Sequence, residues 1–169
     1  MTRPADSEQI FLSDQHSLTP ELMSTEARKV VSTLQNAGFD AYIVGGCVRD
    51  LLLGLKPKDF DVATNAEPEE VKPLFRRARI IGRRFQIVHV QFGREIIEVT
   101  TFRSNQKQPD SDATRRQTES GMLTRDNVFG TLRDDASRRD LTINALYYNP
   151  SDNSVRAVSY THLTLPTTD

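Results

Sequence analysis

Apolar positions change their spacing several times along the chain, and each change marks an element. In "STEARKVVSTLQNAGF" the residues Ala27, Val30, Val31 and Leu34 fall on one helical face, with Ser24 placed to cap the start and Gly38 to stop the helix. "AYIVGG" is a short apolar run closed by a glycine pair, which predicts a buried strand, and "VRDLLLG" opens a second helix directly after it. "FDVATN" predicts the next strand, followed by a turn and a helix over residues 68–77. Three strand-like runs come next, "ARIIG", "FQIVHVQFG" and "REIIEVTTF", and the last two alternate as a hairpin around Gly93 and Arg94 would. "RDNVFGTLRDDASRRDLTINALYYNP" predicts a helix from near Asp134, with Leu141, Ile143, Ala145 and Leu146 as apolar positions and Tyr147 and Tyr148 packing beside them. The sum is a small mixed α/β domain without internal repeats.

Three stretches fall outside this patterning. Residues 1–22 have no sustained period and are expected to form a flexible arm. Residues 104–121 are almost free of apolar side chains, as a flexible surface insertion would be. The ending "VSYTHLTLPTTD" has neither a helical stripe nor a link to what precedes it. Val158 to Thr167 can be encoded without a break as GTCTCTTATACACATCTGACGCTGCCGACG, which looks like a transposase library adapter. The genuine sequence is therefore expected to stop near Arg156, with residues 157–169 a read-through tail from a truncated fragment.

Composition narrows the class. A chain of 169 residues favours one domain with a real core. Apolar residues make up 37% and charged residues 27%, so part of the length is solvated. The net charge of −1 gives no global pull toward nucleic acid, yet five arginines crowd into Arg76–Arg84. The single cysteine, Cys47, cannot form an internal disulfide, which suits a reducing compartment. Neither a membrane-spanning run nor a signal-peptide core is visible, so a cytoplasmic protein, a monomer without a membrane partner, is expected.

The candidate chemistry starts at "KDFDV". Asp59 and Asp61, two residues apart at the start of a strand, point to the same side of the sheet, where like charges repel unless a cation or proton sits between them. Just upstream, Gly45 and Gly46 allow close backbone approach at the start of a helix, and Arg49 adds a positive charge suited to phosphate. A phosphate cradle beside paired carboxylates is what nucleotidyl transfer needs. Two Mg²⁺ ions about 3.5–4 Å apart would bridge an attacking hydroxyl and a triphosphate. A third carboxylate is usually wanted, and both Glu98, on the strand "REIIEVTTF", and Asp140, in "RRDLTINAL", qualify. Arg83 and Arg84, which precede the strand flanking the site, are the better half of the arginine cluster for RNA contact. His89, without a cysteine or second histidine nearby, suits a hydrogen-bonded strand position better than metal ligation.

"GGCVRDLLLG", "KDFDVATNA", "IIEVTTFR" and "RRDLTINALYY" together resemble the class II nucleotidyltransferases, the bacterial poly(A) polymerases and CCA-adding enzymes. The resemblance runs from Ala41 to Pro150 with the motifs in the family's order. It implies a polymerase-β-like palm in which Asp59 and Asp61 bind metal and act in catalysis. It also implies that Gly46 and Arg49 hold the triphosphate, that Arg138, Arg139 and Asp140 contact the nucleotide sugar and phosphates, and that Asp140 takes a catalytic role. The polar insertion before "GMLTRDN" and the segments around it are more similar to the poly(A) polymerase branch. That implies adenylate transfer from ATP to an RNA 3′ end, as in mRNA polyadenylation, with CCA addition to tRNA as the alternative. Such enzymes continue into helical neck and body domains, which are expected to be missing here. A non-catalytic nucleotide- or RNA-binding module is the alternative from another class, and the intact Asp-x-Asp argues against it.

Overall fold

A computed structural model of the chain describes residues 7–104, 129–139 and 145–159. Eight strands form one sheet: β1 (Ser7–Phe11), β2 (Ala41–Val44), β3 (Asp61–Thr64), β4 (Ala78–Ile81), β5 (Ile87–Phe92), β6 (Glu95–Thr101), β7 (Leu146–Asn149) and β8 (Ser154–Ser159). Among the described residues four α-helices accompany them: α1 (Thr25–Asn36), α2 (Gly46–Leu52), α3 (Pro68–Val71) and α4 (Leu132–Ser137). The spatial order is β1-β8-β7-β2-β3-β6-β5-β4. Every pairing is antiparallel except β3 with β6. The mixed α/β class expected from the sequence is the class observed.

The α1 helix forms as its pattern requires. Ser24 Oγ accepts the Ala27 N–H at 3.0 Å, Ala27, Val30, Val31 and Leu34 are buried, and Gly38 follows at a positive φ of 93°. That stripe covers one sheet face, where Ile43, Val62, Val88, Val90, Ile97, Val99 and Tyr148 are buried. Each fully buried aliphatic side chain contributes about 1.5–3 kcal/mol relative to exposure, so this face anchors the domain. The β5–β6 hairpin turns at Gly93 and Arg94 as expected, with Phe92 paired to Glu95.

Several expectations change. Residues 7–11, expected within a flexible arm, form β1, and Leu18 is buried in the core. The polar β1 sequence joins as an edge strand, through backbone hydrogen bonds more than side-chain packing. Its partner β8 extends past Arg156 to Ser159. The helix expected over 68–77 ends at Val71 and passes into a 3₁₀ turn, Lys72–Leu74, where Pro73 lacks the N–H to continue an α-helix. The helix expected near Asp134 spans only Leu132–Ser137, and Leu146, Tyr147 and Tyr148 are strand residues in β7. Between β2 and β8 both ladders of that segment are filled and alternate side chains reach opposite faces, which a helix could not offer. Leu141 and Ile143 lie outside the described residues, as does the polar stretch except for Ser104.

The described residues cover the second face of the sheet only in part. Tyr42, Val44, Ala63, Phe102 and Tyr147 cluster there under Ala136 of α4. The remainder of that face holds the polar residues treated next.

Candidate active site

Register across five strands assembles the site. Val44 pairs with Asp61, Asp61 with Glu98, Glu98 with His89, and His89 with Arg79. Laterally paired residues project to the same side of a sheet. The parallel β3–β6 pairing therefore sets two carboxylates side by side, although 37 positions separate them. Asp59 lies in the loop just before β3 and is exposed, whereas Asp61 is half-buried. Burial, then Glu98 and Asp59, push the Asp61 carboxyl up to about 6, against the pull of Arg139 and His89.

The glycine turn abuts this pair. Gly45 adopts φ 84° and ψ −149°, a backbone shape that side-chain-bearing residues avoid. A β-carbon placed on it would lie 3.8 Å from Asp61 Oδ2. At Gly46 a β-carbon would lie 3.2 Å from Arg49 Nη2, so the missing side chain lets that guanidinium fold back over the turn. Arg49 also pairs with Asp50 at 3.3 Å. Cys47 is buried and donates its thiol to the Val44 carbonyl, so it packs, as a small residue in this turn would.

Arg138 and Arg139 are held by a residue that sequence reasoning did not single out, and Arg139 lies close enough to Asp61 to lower its carboxyl. Asp135 is completely buried. Its Oδ1 accepts from Arg138 Nη2 at 2.9 Å and from the Arg103 N–H at 3.2 Å; its Oδ2 accepts from Arg139 Nε at 3.1 Å and from Tyr147 Oη at 2.7 Å. Burial alone would raise this carboxyl, but Arg139, the Tyr147 hydroxyl, Arg138 and the Arg103 amide outweigh it and hold it below its ordinary value. The spacing of Asp135 from Arg138 and Arg139 at i+3 and i+4 was the available signal. Arg139 lies over the Tyr147 ring with its guanidinium carbon 5.8 Å from the centroid. Asp140 lies outside the described residues.

Arg83 and Arg84 occupy the turn between β4 and β5 and are exposed, with Arg84 5.7 Å from the Phe85 ring centroid. Arg103 stacks on the other side of the connection, 4.7 Å from that centroid. The turn is held tight at Gly82, where φ is 99° and a β-carbon would fall 2.3 Å from the Phe85 carbonyl oxygen.

The donor set suits a divalent cation that needs few protein ligands. Among the described residues no three His, Cys, Asp or Glu side chains converge into a cage. Mg²⁺ does not demand one, since it keeps waters and substrate phosphates and takes one or two carboxylates. Asp61, raised by burial and then by the neighbouring Glu98 and Asp59 carboxylates, fits such a ligand.

A mixed sheet that presents adjacent carboxylates beside a glycine turn and a basic pair has the makings of a nucleotidyltransferase site, and comparison with known proteins gives that class. Poly(A) polymerase I of Haemophilus influenzae is 55% identical over 148 residues, which are 87% of this chain and 33% of that protein. The crystal structure of a Bacillus stearothermophilus CCA-adding enzyme in complex with CTP is similar with a TM-score of 0.60 and 32% identity, covering 78% of this chain and 30% of that one. A tRNA nucleotidyltransferase complexed with a primer tRNA and an incoming ATP analog matches with a TM-score of 0.52 and 27% identity, over 77% of this chain and 34% of the other. The model of the poly A polymerase head domain matches residues 41–160, and the chain belongs to that family. It spans about a third of the length of the relatives it matches.

Proposed function

We propose that this chain is the catalytic head of an RNA 3′-end adenylyltransferase that transfers AMP from ATP and releases pyrophosphate. The observation that carries this is the register of Asp61 against Glu98, one strand from the Gly45–Gly46 turn. It is supported by 55% identity to a poly(A) polymerase I, against 43% to a CCA-adding enzyme of Lactobacillus helveticus.

In this reading the triphosphate lies over the Gly45–Gly46 turn beside Arg49, and Arg138 and Arg139 contact the nucleotide. Asp59 and Asp61 would hold Mg²⁺, with Glu98 beside Asp61 in the same row, and the ion when bound would supply charge stabilisation for the entering and leaving oxygens. The RNA 3′ oxygen attacks the α-phosphorus, the bond from that phosphorus to the bridging oxygen breaks, and pyrophosphate departs. Glu98 takes the hydroxyl proton, being on the side of Asp61 away from the turn. Arg83 and Arg84 contribute positive charge toward RNA from the β4–β5 turn. A monomer acting in the cytoplasm goes with this reading. Among the described residues no helix is long and apolar enough to cross a membrane.

The test is extension of a short RNA with each nucleoside triphosphate in turn, comparing the parent with Asp59→Ala and Asp61→Ala. Adenylate addition lost in both variants supports the proposal. Equal extension by parent and variants would falsify it. Incorporation of CTP into a tRNA ending before CCA would favour CCA addition instead.

A further inference from the structure

Beyond the reacting centre, the sheet face continues among the described residues as a groove along β4, β5 and β6. It is lined by Arg76, Arg77 and Arg79 on one side and by His89, Gln91 and Ile96 on the other. Arg79 pairs laterally with His89, and His89 with Glu98, so the groove begins in the same transverse row as the carboxylates. Gln91 donates its N–H to the Arg77 carbonyl, which carries the groove on along the strands to Arg77. All three arginines are exposed, and among the described residues no ion pair neutralises them. Ile96 is 47% exposed and gives the groove an apolar floor.

The direction of the reaction says what this groove takes. With the triphosphate over the glycine turn after β2, the leaving pyrophosphate departs on the β2 side of Asp61. In-line displacement brings the attacking hydroxyl from the opposite side, which in this sheet is the side of β6, β5 and β4. Strands are spaced about 4.8 Å apart, so Arg79 stands roughly 10 Å beyond Glu98, within reach of the phosphates that precede a strand's terminal nucleotide.

We propose that the Arg76–Arg77–Arg79 groove holds the single-stranded RNA primer by the phosphodiesters upstream of its 3′ end. The inference rests on the reading of the preceding subsection and assigns RNA contact to the half of the arginine cluster that the sequence favoured less. A basic track with an apolar floor suits single-stranded RNA, because phosphates pair with guanidinium groups while sugars and bases cover the apolar surface.

The test is fluorescence anisotropy of a labelled single-stranded oligoadenylate with the chain, across a salt series, for the parent and for Arg77→Glu/Arg79→Glu. Lys29→Glu, on α1 behind the sheet, controls for a charge reversal outside the groove, and ATP affinity is measured alongside. Expected is roughly tenfold weaker RNA binding in the double variant, a salt slope shallower by about two counterions, and unchanged ATP affinity. Arg77→Gln/Arg79→Gln gives the same readout if charge reversal perturbs folding. RNA binding equal to the parent's overturns the proposal. So does an equal loss in Lys29→Glu, a joint loss of ATP affinity in a folded variant, or no RNA binding by the parent at low salt. Failure of adenylate addition, by contrast, counts against the catalytic reading while the groove's binding result stands.

Discussion

Tyr147 donates its phenolic hydrogen to Asp135 Oδ2 across 2.7 Å, joining β7 to the helix that the paired arginines follow. The same carboxylate holds Arg138 and Arg139, so one buried group fixes two cations, and Arg139 acts on Asp61. Asp135→Asn would leave those guanidinium groups without their buried partner, at a cost of about 3–5 kcal/mol. Tyr147→Phe removes a single bond to a charged acceptor, about 1.5–3 kcal/mol. Chemical denaturation checks both, and Asp135→Asn should also weaken ATP binding. A stability unchanged in both variants would remove Asp135 from its role as an anchor.

The same carboxylate has a pH consequence. Its folded value is depressed, so its contribution is fully present above the unfolded carboxylate value near 3.9 and is lost as pH falls through the lower folded value. Melting followed from pH 6 downward should show the parent losing more stability than Asp135→Asn in that acid window. Parallel curves would contradict it.

Asp61 runs the other way. Its folded value, about 6, is raised above the ordinary 3.8. The stability it confers is therefore fully present below 3.8 and is lost as pH rises through about 6. The metal-free chain should melt higher near pH 5 than near pH 7.5, and Asp61→Asn should flatten that difference and stabilise the chain at pH 7.5. Adding Mg²⁺ at pH 7.5 should raise the parent's melting temperature and leave Asp61→Asn unmoved. A parent indifferent to both pH and Mg²⁺ would refute a cation site at this carboxylate.

Glu98→Gln keeps the β6 side chain's size while removing its charge. If Glu98 takes the hydroxyl proton, adenylate addition falls by about a hundredfold with little change in ATP affinity. Asp140→Asn, measured beside it, decides between the two carboxylates that the sequence left open. Full activity in Glu98→Gln with loss in Asp140→Asn would transfer the role to Asp140.

Gly82→Ala should destabilise the chain by about 1–3 kcal/mol, because the added carbon meets the Phe85 carbonyl oxygen at a backbone angle that favours glycine. Denaturant titration measures this. A neutral result would mean that the β4–β5 turn rearranges at no cost.

Local signals carried much of this protein in its sequence. The helical stripe from Ala27 to Leu34, the cap at Ser24, the glycine pair at Gly45 and Gly46 and the hairpin at Gly93 are written in neighbouring residues, and each forms as its pattern requires. Asp59 and Asp61 were visible as candidates because two carboxylates two residues apart follow a glycine pair, and Glu98 because it sits in a strand-like run. Which strands neighbour one another was not visible, because pairing is settled by burial of the α1-facing side chains over long separations. That pairing alone sets Asp61 beside Glu98, then His89 and Arg79 beyond it. It also turned Tyr147 and Tyr148 from expected helix residues into a strand filled on both sides. The residue types were thus determined by the sequence, while their meeting in one row was decided by the tertiary structure, since register is a property of the whole sheet and not of any one strand.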